Sequence, residues 1–327
     1  MSNTSSVSDL ALSTAQVVPL AMYTVVGLLL GLLGNSLVLY SSVRYNTIKL
    51  DQVTLLFVQN LAAADLLYIL FNVLPVSVTF IARKYIMGDV YCFISAQLAF
   101  IPGALNVHTI LTLTAYRLHL VRAPFSSMSI PAAKFVIFIL FLISLILPSI
   151  CLGYKSKSVF SPHVGKCLST VYVNPRASLL FRGTVAILLF IPIVAITIIN
   201  SILCVISVRS SRKAQSERSN IRPLVTVCLL SGMFIASWVP YFCYAIWQGV
   251  DSSVPLQVVH LAYACIQLNS FCNPILYTVT NKRFGKYVRN VARGMLLCKS
   301  ADEAQQRVVT STTGVSSSSR EVKESKA

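Results

Sequence analysis

The chain has 327 residues, of which 55% are hydrophobic and only 11% charged, yet its formal net charge is +17. The apolar residues fall in runs too long for the core helices of a water-soluble domain, so a bilayer is the main solvent. The positive charge is gathered in short clusters beside those runs, which suits anionic headgroups and excludes a nucleic-acid partner.

Residues 1–16 are polar and lack the basic start and apolar centre of a cleavable signal, so the first apolar span is expected to serve as its own signal. They are predicted to form an extracellular tail, in which Asn3-Thr4-Ser5 is a glycosylation sequon. A hydrocarbon layer of roughly 30 Å is crossed by about 20 mostly apolar residues in a helix. Stretches of that kind lie at residues 17–42, 53–81, 92–120, 132–153, 179–208, 224–250 and 255–280. The fold predicted is an all-α membrane protein, a bundle of seven transmembrane helices occupying residues 17–280.

Seven crossings put the two termini on opposite sides. Of the 27 Lys and Arg, only Arg83, Lys84, Lys155, Lys157, Lys166, Arg176 and Arg182 fall on the side of the N-terminus. The richer side is cytoplasmic by the positive-inside rule, so the protein is expected in the cell membrane with its N-terminus outside and its C-terminus in the cytoplasm. Prolines recur about once per span, at Pro75, Pro102, Pro148, Pro192, Pro240 and Pro274, and predict individually kinked helices. The longest outer connection, residues 154–178, is expected to be a loop carrying Cys167.

Past the last span, residues 281–299 are predicted as a short amphipathic helix on the membrane surface. Phe284, Tyr287, Val288, Val291 and Met295 recur at helical spacing opposite Lys286 and Arg289. Cys298 at its end is a candidate for palmitoylation or a free cytosolic thiol. Residues 300–327 are polar and rich in Ser and Thr, and are predicted to be a disordered cytoplasmic tail open to kinases.

Four groups of residues lie at fixed places in the spans: Gly34-Asn35, Asn60-Leu61 with Asp65, Ser237-Trp238-Val239-Pro240, and Asn273-Pro274-Ile275-Leu276-Tyr277. Together they resemble the marker positions of the rhodopsin-like (class A) G-protein-coupled receptors, a resemblance that covers residues 17–298. It implies an extracellular ligand, a heterotrimeric G protein inside, and receptor kinases and arrestin at the Ser/Thr-rich tail. It also implies a disulfide between Cys92 and Cys167, and activation switches at Arg117, Trp238, Pro240, Pro274 and Tyr277. A carboxylate at mid-membrane costs at least about 2.5 kcal/mol, so Asp65 should be paired or functional. In this family Asp65 would join Asn35, Asn106, Asn269 and Asn273 either in a sodium site or in a polar network without an ion.

The chain also departs from that pattern. Tyr116 stands where the family usually has an acid before Arg117, although Pro124 keeps its register. Asn200 replaces a tyrosine in the fifth span, and the fourth has no tryptophan. Without the neighbouring acid, Arg117 should be less restrained at rest, so some ligand-free signalling is expected.

By family position the ligand pocket should contain Gly103, Thr184, Tyr241, Phe242, Tyr263 and Gln267, an aromatic and mostly uncharged set. Ala99 stands where amine receptors carry an Asp, and Gln267 where opsins carry the retinal Lys, so neither a biogenic amine nor a retinal Schiff base is expected. A neutral or anionic small molecule, lipid or peptide is favoured, because the basic residues of the outer face meet only Asp89 and Asp251. The alternative is a transporter or channel using Asp65 as an ion site, but no second buried charge pair relays an ion. An enzyme is expected least. There are no paired catalytic carboxylates, no metal-ligand spacing among His108, His119, His163 and His260, and no nucleophile motif.

Overall fold

The structure, a computed structural model, describes residues 9–44, 52–123, 125–155, 157–169, 175–213, 218–250, 253–280 and 282–296. Helix α1 is Thr14–Arg44, and α2, α3 and α4 are Gln52–Ala82, Gly88–Arg122 and Ile130–Gly153. Helix α5 runs through Pro175–Val185, Ala186–Phe190 and Ile191–Lys213. Helices α6, α7 and α8 are Arg218–Val250, Leu256–Thr280 and Lys282–Leu296. By length and hydropathy, α1 to α5 each contain a stretch fit to cross a membrane. Leu33, Phe135, Ile187 and Val279 are exposed on the bundle's outside, where lipid would cover them.

The prolines act through the turn that precedes them. A proline has no N–H and its ring crowds the carbonyl one turn earlier, so that turn often widens or breaks, although α7 carries Pro274 without interruption. In α2 the turn Ile69–Val73 is π-helical just before Leu74-Pro75, and in α5 Ala186–Phe190 is π-helical just before Ile191-Pro192. Helix α3 is interrupted at Ala99, ahead of Pro102, and α4 at Leu145, ahead of Pro148.

The main core joins α2 to α6 through Phe57, Leu113, Phe181, Ile196 and Phe234, all buried. Helix α1 packs so closely on α7 that a Cβ at Gly34 would lie 2.8 Å from Pro274 Cβ. The Tyr23 hydroxyl also donates to the Ala264 carbonyl at 2.5 Å, fastening the outer ends of the same two helices.

The connection between α4 and α5 is more ordered than a loop. Strand β1, Ser158–Ser161, pairs antiparallel with β2, Lys166–Ser169, and Phe160 stands opposite Cys167. Gly165 closes the turn at φ 71°, and a Cβ there would also lie 2.9 Å from the Phe80 ring, so glycine is needed for backbone and packing alike. The stretch just before α1 lies against this hairpin. Leu10 N–H donates to the Arg83 carbonyl at 3.2 Å, Ala11 N–H donates to the Pro162 carbonyl at 3.1 Å, and Leu12 is buried with Val17, Val76 and Phe80. Ser13 then caps α1, its backbone N–H donating to Gln16 Oε1 at 3.0 Å.

In α8, Tyr287 and Val291 are buried and Val288 packs on Val38, Val58, Ala62 and Tyr277, while Lys286, Arg289 and Arg293 are exposed. The sequon at Asn3, Pro124, Cys298 and the Ser/Thr-rich tail lie outside the described residues, as do the side chains of Phe284 and Met295.

Candidate ligand cavity and transmembrane switch

Cys92, in the first turns of α3, is bonded to Cys167 of β2 with the Cα atoms 5.3 Å apart. Both are buried, with Ala96 and Phe160 packed around them. This bond pins the hairpin across the end of the bundle where α3 begins. Beneath it, a narrow cavity is walled by Leu20, Tyr23 and Thr24 of α1 and by Tyr68, Asn72, Val76 and Phe80 of α2. Val164 and Lys166 of the hairpin, with His260, Tyr263, Ala264 and Gln267 of α7, complete it.

Of the pocket residues expected from family position, Tyr263 and Gln267 line this cavity and the other four do not. Tyr241 and Phe242 stack on Trp238, with ring centroids 6.0 and 5.9 Å away. Gly103 faces the same indole, whose Cη2 would stand 3.2 Å from a Cβ at that position. The Thr184 hydroxyl donates to the Leu180 carbonyl of its own helix at 2.8 Å. Tyr241, Phe242 and Trp238 of α6 thus form one aromatic stack facing Gly103 of α3. Sequence reasoning missed Tyr23 and Asn72, and counted Lys166 only among the basic residues of the N-terminal side. Asn72 had a legible signal, being polar in an apolar span and seven residues, or two turns, beyond Asp65.

Lys166 is the charged group of this cavity. Its Nζ sits 4.0 Å from the centre of the Tyr263 ring, a cation–π contact. The side chain keeps some contact with solvent, but its ammonium lies deep among the helix ends, and that burial pushes its pKa down to about 8. Among the described residues no carboxylate pairs with it. Asn72 is buried as well, and its Nδ2 has no hydrogen-bond partner.

Deeper in the bundle, Asp65 is fully buried. Asn106 Nδ2 donates to Oδ1 and Asn273 Nδ2 to Oδ2, each at 2.8 Å, so one carboxylate joins α2, α3 and α7. Two members of the expected cluster are placed differently. Asn35 Nδ2 donates to the carbonyls of Gly31 at 3.0 Å and Ser270 at 2.7 Å, tying α1 to α7. Asn269 is buried and shows no bond to Asp65, and its Oδ1 has no donor. The physical reason for Asn35 is that the close α1 to α7 contact at Gly34 brings the Ser270 carbonyl within its reach.

At the inner end, Arg117 Nη2 donates to the Thr54 hydroxyl of α2 at 2.5 Å. Arg117, expected to be less restrained without the neighbouring acid, is here held by a neutral hydroxyl of a neighbouring helix. Trp238 is buried with its Nε1 unpartnered, and so is the Tyr277 hydroxyl. Thr114 of α3 and Ser231 of α6 meet at 3.3 Å, linking the two helices above Arg117.

The sequence matches the 7 transmembrane receptor (rhodopsin family) over residues 34–277. It is 23% identical over 278 residues to a melatonin receptor type 1B of Rattus norvegicus, covering 79% of this chain and 73% of that protein. It is likewise 23% identical over 288 residues to the chemokine XC receptor 1 of Homo sapiens, covering 83% and 80%. Among solved structures, squid rhodopsin superposes with a TM-score of 0.74 at 17% identity, covering 90% of this chain and 91% of that one. Helices, marker residues and sequence match converge, and the chain belongs to the rhodopsin family of seven-transmembrane receptors: it is a multi-pass G-protein-coupled receptor and not an enzyme.

Proposed function

We propose that an extracellular ligand entering beneath the hairpin shifts this receptor between two packings of the Asp65 network, and that Arg117 then engages a heterotrimeric G protein at the inner face. The observation that carries the reading is the Asp65 carboxylate held by Asn106 and Asn273, since one buried group fastens three helices whose relative positions a ligand must change. The excess of Lys and Arg at the inner connections supports an extracellular N-terminus and a cytoplasmic tail. In this reading Asn3 carries a glycan, Cys298 a palmitoyl chain, and the Ser/Thr-rich tail is phosphorylated by receptor kinases and bound by arrestin. Helix α8 rests its basic face on the anionic inner leaflet.

Ala99 and Gln267 argue against a ligand amine paired to α3 and against a retinal Schiff base at position 267. The transport alternative gains no support, because the relatives are receptors.

A sodium ion fits the Asp65 region. Besides the carboxylate, the buried side-chain oxygens of Asn35, Asn106 and Asn269 have no donor, and a hard cation is served by such oxygens. The ion would supply positive charge beside Asp65 at rest. Agonist affinity measured in sodium and then in N-methylglucamine should differ for the parent and agree for Asp65→Asn. An equal sodium effect in both would remove the ion from the mechanism.

A further inference from the structure

We infer that the cavity beneath the hairpin takes the carboxylate of a small apolar acid, with Lys166 as its counter-charge and Asn72 as a second donor. The inference rests on the receptor reading above and names the ligand class for it. Lys166 is the ammonium that lines the cavity, and among the described residues its neighbours supply an aromatic face but no carboxylate. Burial has already stripped it of part of its water, as the drop to about 8 records, and at neutral pH it still carries its proton. An enclosed charge of this kind is best completed by an anion.

Asn72 adds an independent observation. It is buried, it lines the same cavity, and its Nδ2 donates to nothing. One ammonium and one amide donor suit the two oxygens of a carboxylate. A phosphate dianion would call for a second cation, and His260, the other basic side chain of the wall, has Nε2 engaged with the His163 carbonyl at 2.8 Å. Leu20, Val76, Phe80 and Val164 give the rest of the wall an apolar character, which selects an apolar body behind the acid. The position of Lys166 is built in, because it directly precedes the disulfide-bonded Cys167 and follows Gly165, which packs on Phe80.

The test uses the purified full-length receptor in nanodiscs of neutral phosphatidylcholine, so that no lipid anion competes. Acetate and butyrate, small enough for so narrow a cavity, serve as probes with their methyl esters, and binding is read by thermal shift and saturation-transfer NMR. The acids should bind the parent and Lys166→Arg, the esters should not, and Lys166→Met should lose at least about tenfold in affinity. Asn72→Leu should lose severalfold. Equal binding of acids and esters, undiminished binding by Lys166→Met, or no binding of either acid to the parent would overturn the inference. Ligand-free nucleotide exchange on a G protein is measured on the same samples. A parent that drives exchange yet binds neither acid defeats the carboxylate site alone, whereas one that binds the acids and never drives exchange supports the site and defeats the signalling reading.

Discussion

Two buried charges of opposite sign divide this molecule, and they are served in opposite ways. Asp65, at mid-membrane, receives an amide N–H on each carboxylate oxygen from two other helices. Lys166, on the hairpin and turned into the cavity, has an aromatic ring on one side and no carboxylate among the described residues. A charge completed from within holds parts of the protein together, whereas a charge left incomplete inside a cavity is suited to something from outside. The Asp65 region of the bundle is thus built as a latch and the end under the hairpin as a receptacle.

Breaking the hairpin should have the largest effect. Cys92→Ser or Cys167→Ser releases the strand that carries Lys166, and removing a native disulfide from a small unit commonly costs about 2–5 kcal/mol. Surface protein counted by antibody should fall severalfold in either variant. Parent-like surface levels and ligand response in both would show that the bond does not position the receptacle.

The contrast itself is tested by removing one group from each region. Asn273→Ala leaves an Asp65 oxygen without its donor in a fully buried site, and an unsatisfied buried polar group costs about 1–3 kcal/mol. The melting temperature of the purified receptor should drop clearly. Lys166→Met removes an underserved charge and keeps the apolar stem, so its melting temperature without ligand should equal or exceed that of the parent. If the two variants lose equal stability, Lys166 is part of the scaffold and the comparison fails.

The latch at Arg117 gives a smaller effect. Its bond to Thr54 is a hydrogen bond to a charged group, worth about 1.5–3 kcal/mol. Thr54→Ala should therefore raise ligand-free G-protein activation about three- to tenfold, allowing for partial replacement by water. Tyr116→Asp, which places a carboxylate next to the guanidinium, should lower it. Nucleotide exchange at matched surface expression decides the matter, and an unchanged rate in Thr54→Ala would mean that Arg117 is held elsewhere.

The smallest effect is expected at Gly103. A Cβ there would stand 3.2 Å from the Trp238 ring, so Gly103→Ala should displace the indole by a few tenths of an ångström and change agonist potency only about two- to threefold. A tenfold change would place the indole closer to the ligand than its stacking on Tyr241 and Phe242 indicates.

Much of this was legible in the residues. Spans and the marker positions depend on local composition and spacing, which a bilayer reads directly because it admits only long apolar helices. The pairing of Cys92 with Cys167 and of Asp65 with Asn106 and Asn273 followed from the family resemblance and stands in the structure.

What tertiary structure alone decided is where long-range partners fall. Residues 158–169 form a hairpin where Cys92, Phe80 and the stretch at 9–12 lie alongside to accept them. Asn35 turns to the Ser270 carbonyl, and Arg117 to Thr54, because helix packing sets which acceptor is in reach. The cavity lies among α1, α2, α7 and the hairpin because these elements, brought together from distant parts of the chain, leave a void between them. By itself the sequence determined which segments cross the bilayer and which polar residues they carry, since periodicity and hydropathy act over a few turns. Which polar group meets which, and where a void remains for a ligand, depends on side chains brought together from residues hundreds of positions apart.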